Sequence, residues 1–289
     1  MIKNESINSI AVIIITIFLT ILMTIFITEK TLLVFEISLF TLCVCIIFIF
    51  QWIAFIPSYL YKTERFFDLT GSITYITVIL FAIVFNQKTD FRSLLVTILI
   101  GIWTIRLGTF LFMRIKTFGF DRRFDNIKHH FTKYLMTWTL QGFWVFMSVA
   151  PGLLVITNIK KLPIETFAVL GFSIWIIGFI IEIIADYQKF VFRLDLKNKD
   201  RFIKTGFWSW SRHPNYFGEI LLWIGISIIA FPVLVGWQYI TLISPVFIFF
   251  LLTRISGIPM LESKADKKWG NHPAYKKYKK NTPILFPFF

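Results

Sequence analysis

The sequence predicts an all-α protein that crosses a membrane as a polytopic helical bundle of seven or eight spans. Hydrophobic residues make up 56% of the 289 positions. Several apolar runs reach about twenty residues, the length that crosses roughly 30 Å of hydrocarbon. Because lipid offers the backbone no hydrogen-bond partner, long apolar runs of this kind form helices, whereas a barrel would need short alternating strands.

The apolar runs follow one another without an internal repeat, a low-complexity linker or a shift in composition. One integral membrane domain covering residues 1–289 is therefore expected. The first run follows a short polar start, lacks a small-residue cleavage pattern and leads into a second run, so it is expected to remain as a helix. The predicted spans are 9–28, 32–60, 71–86, 94–114, 135–157, 165–188, 216–235 and 238–256.

The positive charge is concentrated in particular loops. A net charge of +14 would suggest nucleic acid in a soluble protein, but in a membrane protein lysine and arginine mark the cytoplasmic loops. Nucleic-acid binding is therefore excluded. An N-terminus in the cytoplasm places the basic stretches 114–133, 189–212 and 254–280 inside, which predicts that both termini are cytoplasmic and that the bilayer is the main partner.

The first half of the chain carries a few polar residues in apolar surroundings. Glu36 lies near the start of the second predicted span, where a carboxylate can reach water at the interface. The length of that span together with Pro57 predicts a tilted or kinked helix. Asp68 precedes the third span in the sequence DLTG, which favours a helix N-cap, with a position facing a substrate cavity as the alternative. Arg106 lies inside the fourth span, where a guanidinium must be paired or line a cavity.

The fifth and sixth spans carry further polar residues. Gln141 could hydrogen-bond either a ligand or a neighbouring helix. Glu182 and Asp186 lie four residues apart, hence on one helix face. The loop 189–212 is rich in lysine and arginine, a composition that suits anionic lipid or bound phosphates. No cluster has the spacing of metal ligands, and Cys43 and Cys45 predict neither a disulfide nor a metal site.

The stretch 206–219, GFWSWSRHPNYFGE, concentrates polar side chains between two apolar segments. Its neutral donors His213, Asn215 and Tyr216 adjoin the cationic loop, as recognition of a nucleotide would require. In the tail, Trp269, Tyr275 and Tyr278 are interleaved with lysines, a pattern that fits a belt at headgroup depth and equally fits a cover over an anionic cofactor.

These motifs resemble the DUF1295 group of bacterial membrane proteins, which is related to steroid 5-alpha-reductases and more distantly to sterol reductases and isoprenylcysteine methyltransferases. The resemblance covers residues 67–289 and leaves 1–66 without a trusted match. It rests on WxxRLGxFLxxR from Trp103, QGxWV at Gln141, ADY at Asp186, GFWSWSRHPNYFGE, and the ending PxLE with PAYKKYKKNTPxLFPFF. It implies a steroid 5-alpha-reductase-like bundle in a bacterial inner membrane, with its cofactor site facing the cytoplasm.

The resemblance also implies a reaction: NADPH passes a hydride to an activated carbon–carbon double bond of a lipid-soluble small molecule. It assigns Asp186 and Arg193 to the adenosine and phosphate end, Arg201 to a further cofactor contact, and Asn215 and Glu219 to the nicotinamide side. The remaining residues expected at the cofactor are Arg212, His213, Arg254, Tyr275 and Tyr278. The candidate proton donors are Tyr216, Glu36 and Glu182, and the residues expected in a substrate cavity are Trp103, Arg106 and Gln141.

Two departures from the reductase pattern keep alternatives open. Glu182 stands where the reductases have asparagine, and Arg212, His213 and Pro214 stand where they have small residues. The Arg-His-Pro form resembles the sterol-reductase and methyltransferase versions of the motif, so an enzyme using S-adenosylmethionine is the second hypothesis. A non-catalytic membrane protein on the same scaffold is the third. The oligomeric state is not predicted.

Overall fold

The computed structural model describes residues 2–119 and 124–287, with the backbone alone for residues 2–5. Residues 120–123 of the predicted cytoplasmic stretch 114–133 therefore lie outside the described part. Eight helical stretches are long and apolar enough to cross a membrane, which confirms the predicted all-α polytopic fold of an integral membrane protein. The α-helices are α1 (Ile2–Ile27), α2 (Leu39–Leu60), α3 (Phe67–Val84), α4 (Phe91–Phe118), α5 (Phe131–Thr157), α6 (Thr166–Leu194), α7 (Pro214–Ala230), α8 (Ser244–Phe250), α9 (Ile258–Trp269) and α10 (Pro273–Asn281).

The second span differs from its prediction, because α2 begins at Leu39 and not at residue 32. The residues before it form a hairpin of two short strands, β1 (Leu33–Val34) and β2 (Ile37–Ser38). Phe35 and Glu36 make its turn with φ angles of 51° and 65°. Two consecutive left-handed residues cannot continue a helix, so the prediction of a helix that begins at residue 32 is wrong. Glu36 is an exposed turn residue.

Asp68 also differs from its prediction as an N-cap. The cap position of α3 is Phe66, which makes no side-chain capping bond. Asp68 lies inside the first turn, where its carboxylate favours the positive end of the helix dipole. Its Oδ2 atom is 3.5 Å from Nη2 of Arg114 on α4. The carboxylate therefore links two helices and caps neither.

The described chain forms two compact units. Unit 1 consists of Met1–Phe167 and Ile229–Leu242, and unit 2 consists of Ala168–Ile228 and Ile243–Phe289. In unit 1 α5 is the central helix, since 83% of its most apolar 18-residue stretch is buried. It packs against α1, α2, α3 and α4. The expectation of a single domain stays a prediction.

A buried arginine in unit 1 is satisfied by backbone carbonyl groups from other parts of the chain. Arg92, with no exposed surface, donates hydrogen bonds to the carbonyl oxygens of Ile229, Leu162 and Pro163 at 2.8, 3.4 and 2.6 Å. Each of these carbonyls lies at or beyond a helix end, where the backbone ladder leaves it without a partner. The arginine therefore ties chain segments together at the α4 N-terminus.

Candidate functional site in unit 2

Two helices of unit 2, α6 and α7, approach each other backbone to backbone. A methyl group added at Gly178 would lie 2.6 Å from the carbonyl oxygen of Gly218, and one added at Gly225 would lie 2.6 Å from that of Gly171. Any residue larger than glycine would overlap there. The close approach lets short polar side chains meet across this seam between α6 and α7.

The predicted carboxylates of both helices are buried in unit 2. Asn215 Nδ2 donates to Asp186 Oδ1 at 3.1 Å across the seam. The exposed fractions of Glu182, Asp186 and Glu219 are 2, 7 and 8%. Glu182 lies against Gly218, since a methyl group on that glycine would come within 3.0 Å of the Glu182 Cβ. Three carboxylates that the sequence singled out are therefore buried, and one of them pairs with the partly exposed amide of Asn215.

The loop between α6 and α7 folds back onto α6. Gly206 has a φ of 61°, and a Cβ there would lie 2.5 Å from the Gln188 side chain; both features require glycine. Gln188 Oε1 accepts from the Phe207 amide at 3.0 Å, and Trp208 Nε1 donates to the Ala185 carbonyl at 3.0 Å. The loop is thereby fixed just before the residues that begin α7.

A charged cluster joins this loop to α9. Glu262 Oε1 is 3.0 Å from His213 Nε2, and Glu262 Oε2 is 3.3 Å from Arg212 Nη1. Lys279 of α10 approaches the same carboxylate at 3.6 Å and also pairs with Asp266 at 2.7 Å. The side chains of Arg212, His213 and Glu262 are 7, 5 and 17% exposed. One carboxylate therefore compensates two buried basic side chains.

Two buried atoms of this cluster have no hydrogen-bond partner among the described residues: Arg212 Nε and His213 Nδ1. Burial lowers the pKa of His213, and the hydrogen bond to Glu262 only partly opposes that effect, so the ring is neutral at pH 7. With Nε2–H donating to Glu262, Nδ1 carries a free lone pair. The cluster thus presents one unsatisfied donor and one unsatisfied acceptor. Buried polar groups rarely lack a hydrogen-bond partner.

Tyr216 stands on the His213 side of the cluster. Its ring stacks on the imidazole with centroids 5.7 Å apart and planes at 10°. On another side it contacts Gly257, where a methyl group would lie 2.8 Å from the tyrosine ring. That glycine follows a single π-helical turn, Leu251–Ile255, a feature that recurs at functional sites.

The tail packs onto the loop that follows α6. Phe202 lies 5.1 Å from the Tyr275 ring and 5.4 Å from the Tyr278 ring. Tyr278 donates to the Trp208 carbonyl at 2.6 Å, and Tyr275 to Asp266 at 3.3 Å. Burial raises the pKa of Tyr275 to about 12, with Glu262 and Asp266 adding to it, and burial also raises the pKa of Tyr278. The hydroxyls that the sequence offered to a cofactor are therefore engaged in fixing the tail.

The remaining predicted residues of unit 2 are three exposed arginines. Arg193 lies in the last turn of α6, Arg201 lies in the following loop, and Arg254 lies in the π-helical turn. The roles of these three exposed residues stay predictions. Within residues 2–119 and 124–287, no group of three or more histidine, cysteine or carboxylate side chains could hold a metal ion.

The predicted substrate-cavity residues belong to unit 1. Trp103 is fully buried and packs edge-on against Tyr75 at 5.3 Å. Arg106 has its guanidinium carbon 5.5 Å from the Phe110 ring. Gln141 donates to the Phe67 carbonyl at 2.9 Å, so it joins two helices. A substrate role for these residues stays a prediction, as does the role of Glu36 as a proton donor.

Glu262 is the central residue that sequence reasoning did not assign to the site. The sequence feature that could have identified Glu262 is the motif PxLE, whose glutamate is an acidic residue in a lysine-rich tail. Nothing in that spacing says which basic residues it meets, because Arg212 and His213 lie about fifty residues earlier in the chain. Only the folded tail brings them together.

Comparison with known proteins identifies relatives at two levels. The family model described as a protein of unknown function, DUF1295, matches residues 54–282. A curated relative, 3-oxo-5-alpha-steroid 4-dehydrogenase 1 of Rattus norvegicus, is 27% identical over 118 residues. That match spans 41% of this chain and 40% of the relative. No solved structure matches the chain significantly.

The matched region begins within α2 and includes every residue of the cluster around Glu262, as well as the Asp186–Asn215 contact. The relationship to the steroid dehydrogenase is distant, and it indicates a reductase-like membrane family without fixing substrate or cofactor. Because the family model covers most of the sequence, the chain belongs to the DUF1295 family.

Proposed function

We propose that this protein is a membrane-embedded reductase that uses NADPH to reduce an activated carbon–carbon double bond in a lipid-soluble substrate. The observation that carries the proposal is the arrangement of unit 2, where buried Asp186 and partly exposed Asn215 are in contact on the two helices that flank a cationic loop. The name of the distant rat relative describes a dehydrogenase of a 3-oxo steroid, which supports hydride chemistry next to a carbonyl group.

The residues present fit a dinucleotide. Exposed Arg193 and Arg201 can pair with phosphates, which guanidinium groups bind in a bidentate manner. Asp186 can accept a hydrogen bond from a ribose hydroxyl. The unsatisfied Arg212 Nε–H and His213 Nδ1 match a group that both accepts and donates, such as a carboxamide. When bound, NADPH would supply a hydride to the substrate.

A proton must also reach the substrate, at the carbon beside the one that accepts hydride. Tyr216 is the first donor to test, because the residue is partly exposed and its ring stacks on His213 of the cluster. Glu182 is a second, since it is a carboxyl group that is 2% exposed on the adjoining helix α6. Tyr216→Phe should then lower the chemical rate with little effect on cofactor binding.

A methyltransferase using S-adenosylmethionine is the second candidate. The observation that favours it is the sequence Arg212-His213-Pro214, which departs from the steroid 5-alpha-reductase pattern and resembles the form shared by methyltransferases and sterol reductases. The unsatisfied donor and acceptor of the cluster would suit the amino and carboxylate groups of that cofactor as well. Ligand binding separates the two candidates.

The deciding experiment is thermal stabilisation of the purified full-length protein by NADPH, NADH and S-adenosylmethionine, each titrated separately. A ligand present at one hundred times its dissociation constant stabilises the folded state by about 2.7 kcal/mol. Stabilisation by NADPH supports the reductase. Stabilisation by S-adenosylmethionine alone refutes it, and a folded protein that binds none of the three favours a non-catalytic role.

Arg201→Ala tests the phosphate contact, with Lys204→Ala as a matched control that removes another exposed cation from the same loop. We expect Arg201→Ala to weaken NADPH binding at an unchanged melting temperature of the free protein, and Lys204→Ala to bind normally. Weakening of NADPH alone would place Arg201 at the 2′-phosphate. Equal weakening of NADH would place it at the pyrophosphate, and unchanged affinity would remove it from the site.

A further inference from the structure

The C-terminal part of unit 2 has an asymmetric distribution of charge. Between Ile258 and Pro287 there are seven lysines and two acidic residues. Both acids are engaged with neighbours, Glu262 with the Arg212–His213 pair and Asp266 with Lys279 and Tyr275. Lys268 pairs with Asp200 at 3.3 Å. The five lysines that make no ion pair with any described residue are Lys264, Lys267, Lys276, Lys277 and Lys280.

Three of these lysines form one face of α10. With about 100° of rotation between successive residues, Tyr275, Tyr278 and Lys279 lie on the face that packs inward. The exposed residues Lys276 and Lys277 and the exposed Lys280 lie on the opposite face. The inward face of α10 therefore carries the lysine that pairs with acidic residues, Lys279, and the outward face carries lysines without acidic partners among the described residues.

An apolar cleft lies beside the residues that follow α10. The amide of Arg212 donates to the Pro283 carbonyl at 3.0 Å, and Ser211 Oγ donates to the Ile284 carbonyl at 3.2 Å. These bonds hold the tail against the loop, so that Phe286 packs on Phe217 at 6.0 Å. The cleft has a volume of about 270 Å³, and its apolar lining comes from Ile181, Phe207, Trp210, Phe217, Phe286 and Pro287.

The rim of the cleft is both apolar and accessible. The exposed fractions of Trp210, Ile284 and Phe286 are 52, 47 and 46%. Half-exposed aromatic side chains next to lysines are typical of the headgroup region, where apolar rings meet lipid and cations meet phosphate. The cationic face of α10 ends only a few residues before this rim.

We propose that the α10 lysines and this cleft together bind an anionic phospholipid. The ammonium groups of Lys276, Lys277 and Lys280 hold the headgroup phosphate, and an acyl chain enters the cleft beside Trp210 and Phe286. The lysines are complementary to negative charge and the cleft is complementary to hydrocarbon. Free phosphate would contact the lysines alone, whereas a phospholipid would contact both. The inference does not depend on which cofactor unit 2 binds.

The test of the headgroup contact is lipid retention measured by native mass spectrometry. Full-length protein is equilibrated in detergent with equal amounts of phosphatidylglycerol and phosphatidylcholine that carry the same oleoyl chains. We expect preferential retention of phosphatidylglycerol, and a loss of that preference in the triple variant Lys276→Gln, Lys277→Gln, Lys280→Gln. The loss can reach roughly fivefold for each lysine, and salt should weaken the preference as well.

The matched control is the triple variant Lys197→Gln, Lys199→Gln, Lys204→Gln, which removes the same charge from exposed positions of the loop after α6. It should keep the preference for phosphatidylglycerol. An equal loss in both triple variants would show that net charge, and no particular surface, sets the preference. An unchanged preference in the α10 triple variant would overturn the proposal directly, as would competition by millimolar inorganic phosphate.

The cleft is tested by chain length. Ile181→Trp fills the cleft and Ile181→Val leaves it open, so the former alone should reduce retention of dioleoyl phosphatidylglycerol while binding of the dihexanoyl lipid is unchanged. If Ile181→Trp does not fold, Trp210→Ala removes one wall and should have the same effect on the long-chain lipid. Unchanged long-chain retention in the folded variant overturns the role of the cleft.

Discussion

Replacement of Glu262 by glutamine should destabilise the protein more than its modest change in shape suggests. The substitution keeps a hydrogen-bond partner for His213 Nε2 but removes the negative charge that lies 3.3 Å from Arg212 Nη1. Among the described residues, Arg212 Nη1 also donates to the backbone carbonyl of Lys279 at 3.4 Å, which is an uncharged acceptor. The variant therefore leaves a cation that is 7% exposed without a counter-ion.

The magnitude follows from that burial. Breaking a buried ion pair by removing one partner costs about 3–5 kcal/mol. The retained hydrogen bond and the partial exposure of Glu262 reduce this cost, so we expect a loss of about 2–4 kcal/mol. For a chain of this size each kcal/mol corresponds to roughly 2–4 °C. The apparent melting temperature in detergent should therefore fall by about 5–15 °C.

The assay is a thermal melt of the purified protein, with Glu36→Gln as the control. That variant makes the same chemical change in an exposed hairpin turn and should melt with the parent protein. A Glu262→Gln variant that also melts with the parent would refute the reasoning, because Arg212 would then be compensated by another group. Combination with Arg212→Met should recover part of the loss, since the unpaired cation is then gone.

The remaining predictions concern single contacts in unit 2. Gly178→Ala places a methyl group 2.6 Å from the Gly218 carbonyl oxygen and should lower the free energy of unfolding by about 1–3 kcal/mol. A thermal melt measures this loss, and an unshifted midpoint would contradict the close approach of the two helices. Tyr278→Phe loses the 2.6 Å bond to Trp208, a loss of about 0.5–1.5 kcal/mol, and should speed proteolysis of the tail. His213 has a lowered pKa in the folded protein, so the unfolded chain binds its proton first as the pH falls below about 6.5; stability should decline with falling pH in that range, and less so in His213→Gln.

The helical fold could be predicted because it follows from solvation alone. A run of apolar residues about twenty long has few alternatives to a helix. The α5 helix ends at its predicted residue, Thr157, and α6 begins at Thr166, one residue after its predicted start. The hairpin before α2 was missed for a physical reason. Its turn residues, Phe35 and Glu36, are neither asparagine nor glycine, so the local sequence does not predict their left-handed backbone conformation.

The site divides in the same way. Asp186 and Asn215 were both singled out because polar residues in apolar segments are costly, and they are in contact in the folded protein. Arg212 and His213 were also singled out, but their partner was not. Glu262 looks locally like one more charge in a polar tail, and its role depends on a fold that returns the tail to the start of α7. Sequence patterns identify costly residues, whereas tertiary packing decides how each is compensated.

The glycine contacts between α6 and α7 have a consequence for motion. Around Gly178 and Gly225 the two backbones touch directly, so no side chain at these points can change rotamer and let one helix slide past the other. We therefore expect α6 and α7 to move together. A rearrangement of unit 2 that admits or releases a ligand would then involve the parts held by side-chain contacts, above all the α9–α10 tail, which Glu262 and Tyr278 attach to the loop before α7.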